Sequence, residues 1–427
     1  MTAFAGRWRQ VQHTVGQAGK ALQAVPIVEI GQHWCRTRFA PVGHPAGIAQ
    51  QGIDASIRDN AGKNAAGNVP AADNQDFLHA GIVADDQGDF MSYQITVQPS
   101  GREFSAEAGE TLLDAGLRQG LILPYGCKDG ACSACKGRVV SGTVDHGKSQ
   151  PHALTDEEKA AGITLFCCAM AQTDLVIECK QLTLASDIPV KTLPSRIEKL
   201  DKLAPDIIEM HLRLPANECF EFLAGQYIDF LLKDGKKRSY SLASAPEDQG
   251  LLQLHIRHVP GGLFTEQVFS TLKVRDILRF NGPHGSFYLR EDSSKPMILL
   301  AGGTGFAPVK SIVEHAIARN INRPMFIYWG AKARVDLYQN GLPEKWAAEY
   351  ASISYIPVLS EPADGDNWNG RTGFVHQAVQ ADFPDLSGYQ VYACGSPLMI
   401  DAARRDFITQ GLPEEEFFAD AFTFSTT

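Results

Sequence analysis

Three closely spaced cysteines constrain this chain more than any other feature of its sequence. Cys127, Cys132 and Cys135 have the spacing C-x4-C-x2-C, which places three thiolates where they hold a [2Fe–2S] cluster. Small residues surround them, so that backbone N–H groups can approach the sulfurs and tune the cluster. These small residues are Gly126, Gly130, Ala131 and Ala134. The loop therefore predicts an iron–sulfur centre, and the rest of the chain must contain the source of its electrons.

Two other kinds of cysteine site compete with a cluster. A zinc knuckle also uses closely spaced thiolates, but structural zinc sites usually contain two C-x2–4-C pairs. A disulfide loop is typical of secreted proteins, whereas the N-terminus carries Arg7, Arg9 and Lys20 without the apolar segment of a secretory signal. The nine cysteines fit a reducing cytoplasm better than a disulfide framework, so we expect a cytoplasmic protein.

The fourth cluster ligand lies downstream, where Cys167 and Cys168 are adjacent. The loop resembles that of plant-type ferredoxins, and Leu-Phe-Cys-Cys-Ala at 165–169 is similar to the Leu-Leu-Cys-Gln-Ala pattern of that family. This resemblance implies that Cys167 is the ligand. A strand would also point adjacent side chains to opposite faces, so that only one of them faces the cluster. We therefore interpret Cys168 and Cys179 as structural cysteines.

Length and charge limit the remaining possibilities. A chain of 427 residues accommodates about three domains. The net charge of −10 argues against nonspecific binding to nucleic acid. No apolar run approaches the ~18–20 residues of a membrane helix, so we expect no membrane segment. The composition is that of an ordinary globular protein.

The first two segments of the chain differ sharply in pattern. Residues 1–90 show no sustained hydrophobic period, and we predict a disordered leader without an assigned role. In residues 91–183, apolar and polar side chains alternate as in β-strands. This segment also contains two helix caps, Thr111 with Asp114 and Thr155 with Glu158. This order resembles the β-grasp fold of plant-type [2Fe–2S] ferredoxins. We hypothesise that Met91 is the native start, which the intact mass of protein made from its own promoter would decide.

A linker is expected at residues 188–195. It leads into a second domain, which is predicted at residues 190–290. Short alternating segments separated by turns predict a small antiparallel β-barrel there. Arg238 offers a planar fork of donors to a pyrophosphate. Tyr240 offers a ring for an isoalloxazine, and Ser241 offers a hydroxyl to flavin N5. Downstream, paired glycines and a threonine indicate a phosphate cradle at a helix start: Gly261, Gly262 and Thr265.

The third domain, residues 291–427, has the strand–glycine turn–helix pattern that places backbone N–H groups against a phosphate. The turn consists of Gly302, Gly303, Thr304 and Gly305. Further buried strands alternate with helices, which predicts a parallel, doubly wound sheet. The fourth strand ends at Cys394 and Gly395, where ligands of such sheets bind. A buried core cysteine is the alternative interpretation of Cys394.

Together, residues 91–427 resemble ferredoxin-fused reductases of the ferredoxin–NADP reductase superfamily. That group includes CDP-6-deoxyglucoseen reductase and the reductase components of bacterial oxygenases. The resemblance implies an oxidoreductase that binds FAD at the barrel and a nicotinamide coenzyme at the doubly wound domain. It also implies that Cys394 lies by the nicotinamide and flanks hydride transfer, and that Phe422 covers the flavin face until nicotinamide displaces it. Ala331 stands where NADPH-specific relatives tend to carry Ser-Arg, and the charge of Asp336 would repel a 2′-phosphate, which favours NADH, although Lys332 and Arg334 leave NADPH open.

The predicted function is electron transfer from NADH through FAD to the cluster and on to a partner enzyme. A flavin converts the two electrons of a hydride into single electrons, and chemistry belongs to the cofactors. The expected acceptor is a dehydratase or an oxygenase component. Two alternatives stay open: a flavin reductase that releases reduced free flavin, and a redox sensor that does not turn over NADH.

Overall fold

The computed structural model describes residues 91–184, 188–248 and 250–423. These residues belong to one unit of contacting chain, Gly81–Thr427. The predictions for residues 1–90 lie outside the described residues. Within the part of the chain that the structure describes, no helix is long and apolar enough to cross a membrane.

The first domain is a small sheet with a helix on one face. Its five-stranded sheet has the order β2-β1-β8-β4-β6, with β1 parallel to β8. Both predicted helix caps are present, since Thr111 accepts the Asp114 N–H and Thr155 forms a capping box with Glu158. The elements are β1 (Ser92–Gln98), β2 (Arg102–Glu107), α1 (Leu112–Arg118), β3 (Leu121–Ile122), β4 (Lys136–Ser141), β5 (Val144–Asp145), α2 (Asp156–Ala160), β6 (Ile163–Leu165), β7 (Met170–Ala171), β8 (Leu175–Glu178) and β9 (Thr183–Leu184).

The second domain is an antiparallel barrel. Its strands have the order β13-β12-β15-β10-β11-β14, and a bridge between Leu242 and Leu254 joins the two ends of that order. The linker expected at residues 188–195 is wrong at its C-terminal end, because β10 begins at Lys191 and pairs with β15. The elements are β10 (Lys191–Ala204), β11 (Ile207–Arg213), β12 (Tyr227–Leu231), β13 (Lys237–Ser241), β14 (Leu251–Arg257), α3 (Thr265–Ser270) and β15 (Ile277–His284).

The third domain is a doubly wound sheet in which all strand pairs are parallel. The strand order is β19-β18-β17-β16-β20-β21. Helix α4 packs on one face of the sheet, and α6 and α7 pack on the other. The elements are β16 (Met297–Gly302), α4 (Phe306–Ala318), β17 (Met325–Ala331), α5 (Gly341–Glu349), β18 (Ile353–Leu359), β19 (Arg371–Thr372), α6 (Val375–Asp382), β20 (Gln390–Gly395), α7 (Pro397–Thr409) and β21 (Phe417–Ala421).

Candidate active site

The four predicted cluster cysteines converge in one loop region of the first domain. The Sγ atoms of Cys135 and Cys167 lie 3.2 Å apart. The backbone N–H of Cys127 points at Cys132 Sγ over 3.3 Å, and the N–H of Asp129 points at Cys127 Sγ over the same distance. Four thiols with N–H groups aimed at sulfur are the donor set of a [2Fe–2S] cluster.

The backbone of the loop is shaped for close packing around the sulfurs. Gly130 has a φ of +69°, and a Cβ there would lie 2.6 Å from Cys168 Sγ. Lys128 and Ser133 also have positive φ, which is unusual for residues with side chains and persists only where the surroundings enforce it. A bulkier residue than glycine at position 130 would therefore push against the cysteine turn.

The expectation that Cys167 and Cys168 lie on a strand, with their side chains on opposite faces, is wrong. Strand β6 ends at Leu165, and both cysteines lie in the following turn. Their Sγ atoms are 3.7 Å apart, and both side chains are buried. The choice of Cys167 as the ligand stays a prediction, and it is supported by the contact of the Cys167 sulfur with Cys135 Sγ.

The four cysteine thiols form two hydrogen-bonded pairs, Cys135 with Cys167 and Cys127 with Cys132. Hydrogen bonds from Cys135 and then Cys168 lower the pKa of Cys167 to about 3. A hydrogen bond from Cys132 lowers the pKa of Cys127 to about 7. The pKa values of Cys132 and Cys135 are raised well above the usual thiol value by the same contacts. Each pair thus favours one thiolate, which is the form that binds a metal.

A cleft lies where the three domains meet, and the predicted flavin residues line it. Ser241 is buried, whereas Arg238 and Tyr240 are half-buried. The Tyr240 ring packs 5.5 Å from the Phe264 ring. An arginine, an aromatic ring and a hydroxyl in one cleft fit the pyrophosphate and ring system of FAD. Other cleft residues are Cys127, Tyr227, His255, Arg257, Gly262, Thr265, Thr304, Asp420 and Phe422.

The backbone N–H groups of Gly261 and Gly262 already donate hydrogen bonds within the protein, whereas a phosphate cradle requires them to point at the ligand. The N–H of Gly261 donates to Glu266 Oε1 over 2.9 Å, and the N–H of Gly262 donates to the Val259 carbonyl over 2.9 Å. Thr265 Oγ1 also bonds to Val259. Both glycine amides are therefore already paired. Their contact with a phosphate stays a prediction, and it would require the Gly261–Glu266 bond to open.

The glycine turn of the third domain allows two strand ends to meet. A Cβ on Gly305 would lie 2.1 Å from the Cys394 carbonyl, and one on Gly302 would lie 2.8 Å from Met399 Sδ. At this turn, strands β16 and β20 pack closely against each other, beside the start of α4. The Arg257 guanidinium lies 3.6 Å from the place of a Gly303 Cβ and brings to the turn a positive charge that was not predicted.

One acidic residue that lines the cleft, Asp420, was also not predicted as a site residue. Asp420 is buried, and its Oδ2 accepts a hydrogen bond from Ser241 Oγ over 3.2 Å. The same oxygen lies 4.0 Å from the Sγ of Cys394, which is fully buried. Burial raises the pKa of Asp420 to about 6, although the Ser241 hydrogen bond opposes this. An acid inside the otherwise apolar run Phe-Phe-Ala-Asp-Ala was the available signal.

Phe422 and Gly395 lie at the same edge of the sheet. The N–H of Phe422 donates to the Gly395 carbonyl over 2.8 Å, immediately after β21 ends. The Phe422 side chain is half-buried and lines the cleft together with Tyr240 and Ser241. This placement agrees with a ring that covers a flavin.

Hydrogen bonds join the cluster loop to the barrel beside this cleft. Tyr227 donates its hydroxyl proton to the Gly126 carbonyl over 2.8 Å. Tyr125 accepts the N–H of Gly285 over 2.9 Å, and its own N–H donates to Ser286 Oγ over 2.9 Å. Because Cys127 itself lines the cleft, the cluster site and the flavin site share a wall.

Three family models match the chain in the order of these domains. A 2Fe-2S iron-sulfur cluster binding domain matches residues 95–172, and an oxidoreductase FAD-binding domain matches residues 194–288. An oxidoreductase NAD-binding domain matches residues 299–405. The predicted fold class and the three predicted cofactors are therefore confirmed. The domain boundaries and the roles of single site residues stay predictions.

Relatives match over most of this chain and nearly all of their own length. A CDP-6-deoxy-L-threo-D-glycero-4-hexulose-3-dehydrase reductase of Yersinia pestis is 44% identical over 332 residues, 78% of this chain and 99% of the relative. The phenol 2-monooxygenase reductase component of Pseudomonas sp. strain CF600 is 37% identical, covering 78% and 95%. The crystal structure of an Amycolatopsis cytochrome P450 reductase is 33% identical with a TM-score of 0.62, covering 77% and 98%.

Proposed function

Because this chain belongs to the family of ferredoxin-fused flavoprotein reductases, we propose that it supplies electrons from NADH to a separate dehydratase. The observation that carries this proposal is the shared cleft, which Cys127, Ser241 and Thr304 line from three different domains. A bound coenzyme, flavin and cluster supply hydride transfer and single-electron transfer. No step in this transfer requires a catalytic triad of the protein.

The side chains of the cleft have distinct tasks in this proposal. Arg238 and Tyr240 hold the pyrophosphate and ring of the flavin, and Ser241 offers its hydroxyl at the reacting edge. Asp420 Oδ2 orients that hydroxyl by accepting its proton in a hydrogen bond. Phe422, which lines the cleft, excludes water from the ring face. Cys394 does not line the cleft but is fully buried behind Asp420, 4.0 Å from its Oδ2, and its role in this proposal is to support the wall that the nicotinamide approaches. Cys127, Cys132, Cys135 and Cys167 hold the cluster across the wall.

The names of the relatives indicate two classes of partner enzyme, and the higher sequence identity favours one of them. The hexulose dehydrase reductase is 44% identical, against 37% for the phenol monooxygenase component. We therefore propose a dehydratase acting on a nucleotide-linked deoxyhexulose as the acceptor, in the cytoplasm. Mixing the reduced protein with such a dehydrase and, separately, with an oxygenase component tests this, and faster oxidation by the oxygenase component would overturn the choice.

An anaerobic titration with NADH, followed by absorbance and EPR, tests electron transfer as a whole. We expect flavin bleaching together with the signal of a reduced [2Fe–2S] cluster. Dithionite in place of NADH is the control for a cluster that is present and reducible. Flavin bleaching without cluster reduction by NADH would contradict the proposed path and favour release of reduced free flavin.

The coenzyme preference is a further expected result. The two cations near the expected 2′-position already have partners, because Lys332 lies 3.8 Å from the Glu361 carboxylate and the Arg334 guanidinium donates to the Asp366 backbone carbonyl over 2.9 Å. Asp336 Oδ2 accepts the Ala333 N–H and adds a negative charge. We expect kcat/KM for NADH to exceed that for NADPH by about tenfold to a hundredfold, equivalent to about 1.4–3 kcal/mol. Equal values in steady-state assays would contradict this.

A further inference from the structure

Helix α4 carries a buried cation that no part of the proposed chemistry uses. The Lys310 side chain is 6% exposed. Its ammonium donates to the Ala243 carbonyl over 3.1 Å, to Gln253 Oε1 over 2.9 Å and to Glu314 Oε2 over 2.6 Å. All three donors of the ammonium are thus satisfied. Burial of a charge is unfavourable unless it is paired in this way, so the contact has a specific geometry.

The neighbouring residues on α4 contact the same part of the barrel. Ser311 Oγ donates to the Ser244 carbonyl over 2.7 Å. His315 pairs with Glu247 through Nδ1 over 2.9 Å and with Glu291 through Nε2 over 3.1 Å. We name Lys310, Ser311 and the carbonyls of Ala243 and Ser244 the α4 clamp. It joins the nicotinamide domain to the flavin barrel through backbone atoms.

The α4 clamp is close in sequence to both reacting sites. On the barrel side, Ala243 and Ser244 follow Ser241 by two and three residues. On the other side, α4 begins at Phe306, directly after the glycine turn, and Thr304 and Ala307 line the cleft. Short, hydrogen-bonded backbone therefore connects the proposed flavin hydroxyl to the proposed coenzyme turn.

We propose that Lys310 is a positioning residue that sets the approach of the nicotinamide to the flavin. In hydride transfer the C4–H bond of NADH breaks, and the hydride carries both electrons to flavin N5, leaving NAD+. Such a step needs aligned atoms, and a misplacement of ~1 Å caused far from the chemistry lowers a rate by about a hundredfold. The inference rests on the proposed function, in which the flavin binds at the barrel and NADH binds at the glycine turn.

Lys310→Met tests the inference, because it keeps the length of the side chain and removes its three donors. In anaerobic stopped-flow experiments at saturating NADH, we expect flavin bleaching to slow by about tenfold to a hundredfold. The Kd of NAD+ and the FAD and iron contents should change little. The matched control is Lys345→Met, which removes an exposed i,i+4 partner of Glu349 on α5 and should leave the rate unchanged.

Two readouts do not depend on turnover. Hydrogen–deuterium exchange in the Lys310→Met protein should increase in residues 243–248 relative to the wild type. The absorbance of the complex of the reduced protein with NAD+ should also change. Ser311→Ala, a smaller change, should shift both in the same direction and serves if Lys310→Met folds poorly. Unchanged exchange and a wild-type rate at saturating NADH would overturn the inference, as would equal slowing by Lys345→Met.

A failure of the proposed site roles is distinguishable from a failure of the clamp. Ser241→Ala tests the flavin hydroxyl directly and leaves both carbonyls of the clamp in place. If Ser241→Ala is silent while Lys310→Met slows bleaching and loosens residues 243–248, the hydroxyl role is wrong and the clamp stands. If Ser241→Ala slows bleaching while Lys310→Met does not, the clamp inference is wrong.

Discussion

Cys167→Ser is expected to abolish the cluster, whereas Cys168→Ser is expected to retain it. The cluster requires four thiolates, and Cys167 Sγ is the sulfur in contact with Cys135, at 3.2 Å. Cys168 Sγ instead packs against Gly130, where even a methyl group would be 2.6 Å away. Iron and sulfide content, visible absorbance and the EPR signal after dithionite measure the outcome. The Cys167→Ser protein should still bind FAD and be bleached by NADH.

The adjacency of the two sulfurs requires further variants. Because they are 3.7 Å apart, Cys168 could replace the missing ligand in the Cys167→Ser protein. The double variant Cys167→Ser/Cys168→Ser excludes that rescue. Cys179→Ser is the matched control, since Cys179 is equally buried but outside the loop, and each serine should cost about 1–3 kcal/mol of stability through its buried hydroxyl. Loss of the cluster in Cys168→Ser with retention in Cys167→Ser would reverse the assignment.

Local spacing made the cofactor modules predictable, because each motif places its groups within a few residues. The cluster loop, the Arg-x-Tyr-Ser strand and the glycine turn are of this kind. The central cleft is not, because its contacts join distant parts of the chain. Tyr227 reaches Gly126 across 101 positions, and Lys310 reaches Ala243 across 67. Hydrophobic pattern alone does not encode which distant strands or helices meet.

Asp420 illustrates the same limit more sharply. The parallel pairing of β20 with β21 sets Asp420 opposite Cys394, so that both side chains lie on one face of the sheet. The sequence marked the C-terminal segment as a family feature but did not predict β21 as a strand. Without that strand there was no reason to bring an acid to Ser241. The wrong expectation of a strand at Cys167 and Cys168 has a related origin, because the chain turns after β6 ends at Leu165.

Asp420→Asn is expected to stabilise the protein at neutral pH and to slow its turnover. Burial raises the pKa of Asp420 from 3.8 to about 6 in the folded protein. The folded state therefore holds the proton more tightly than the unfolded state, and ionisation destabilises the fold as pH rises. The cost is absent below about pH 4, grows between about pH 4 and 6, and reaches about 3 kcal/mol above that range.

Asparagine has nearly the same shape, can still accept the Ser241 hydrogen bond and carries no charge at any pH. We therefore expect Asp420→Asn to have a higher urea midpoint than the wild type, with a larger gap at about pH 8 than at about pH 5. Asp385→Asn is the control, because Asp385 is exposed and the Ser387 N–H lowers its pKa. A gap that is the same at both pH values would contradict burial of an ionised carboxylate at this position.

The kinetic effect has a separate cause. Oxidation of NADH by single-electron acceptors releases one proton, and we expect the Asp420 carboxylate, which accepts a hydrogen bond from Ser241 Oγ, to receive it. Loss of a proton-accepting group typically lowers a rate by about 10²–10⁴-fold, so we expect about a hundredfold fall in kcat. The limb of the pH profile near the pKa of Asp420, about 6, should disappear in the asparagine variant. A profile that keeps this limb would assign the proton to another group, and an unchanged kcat would leave Asp420 with a purely structural role.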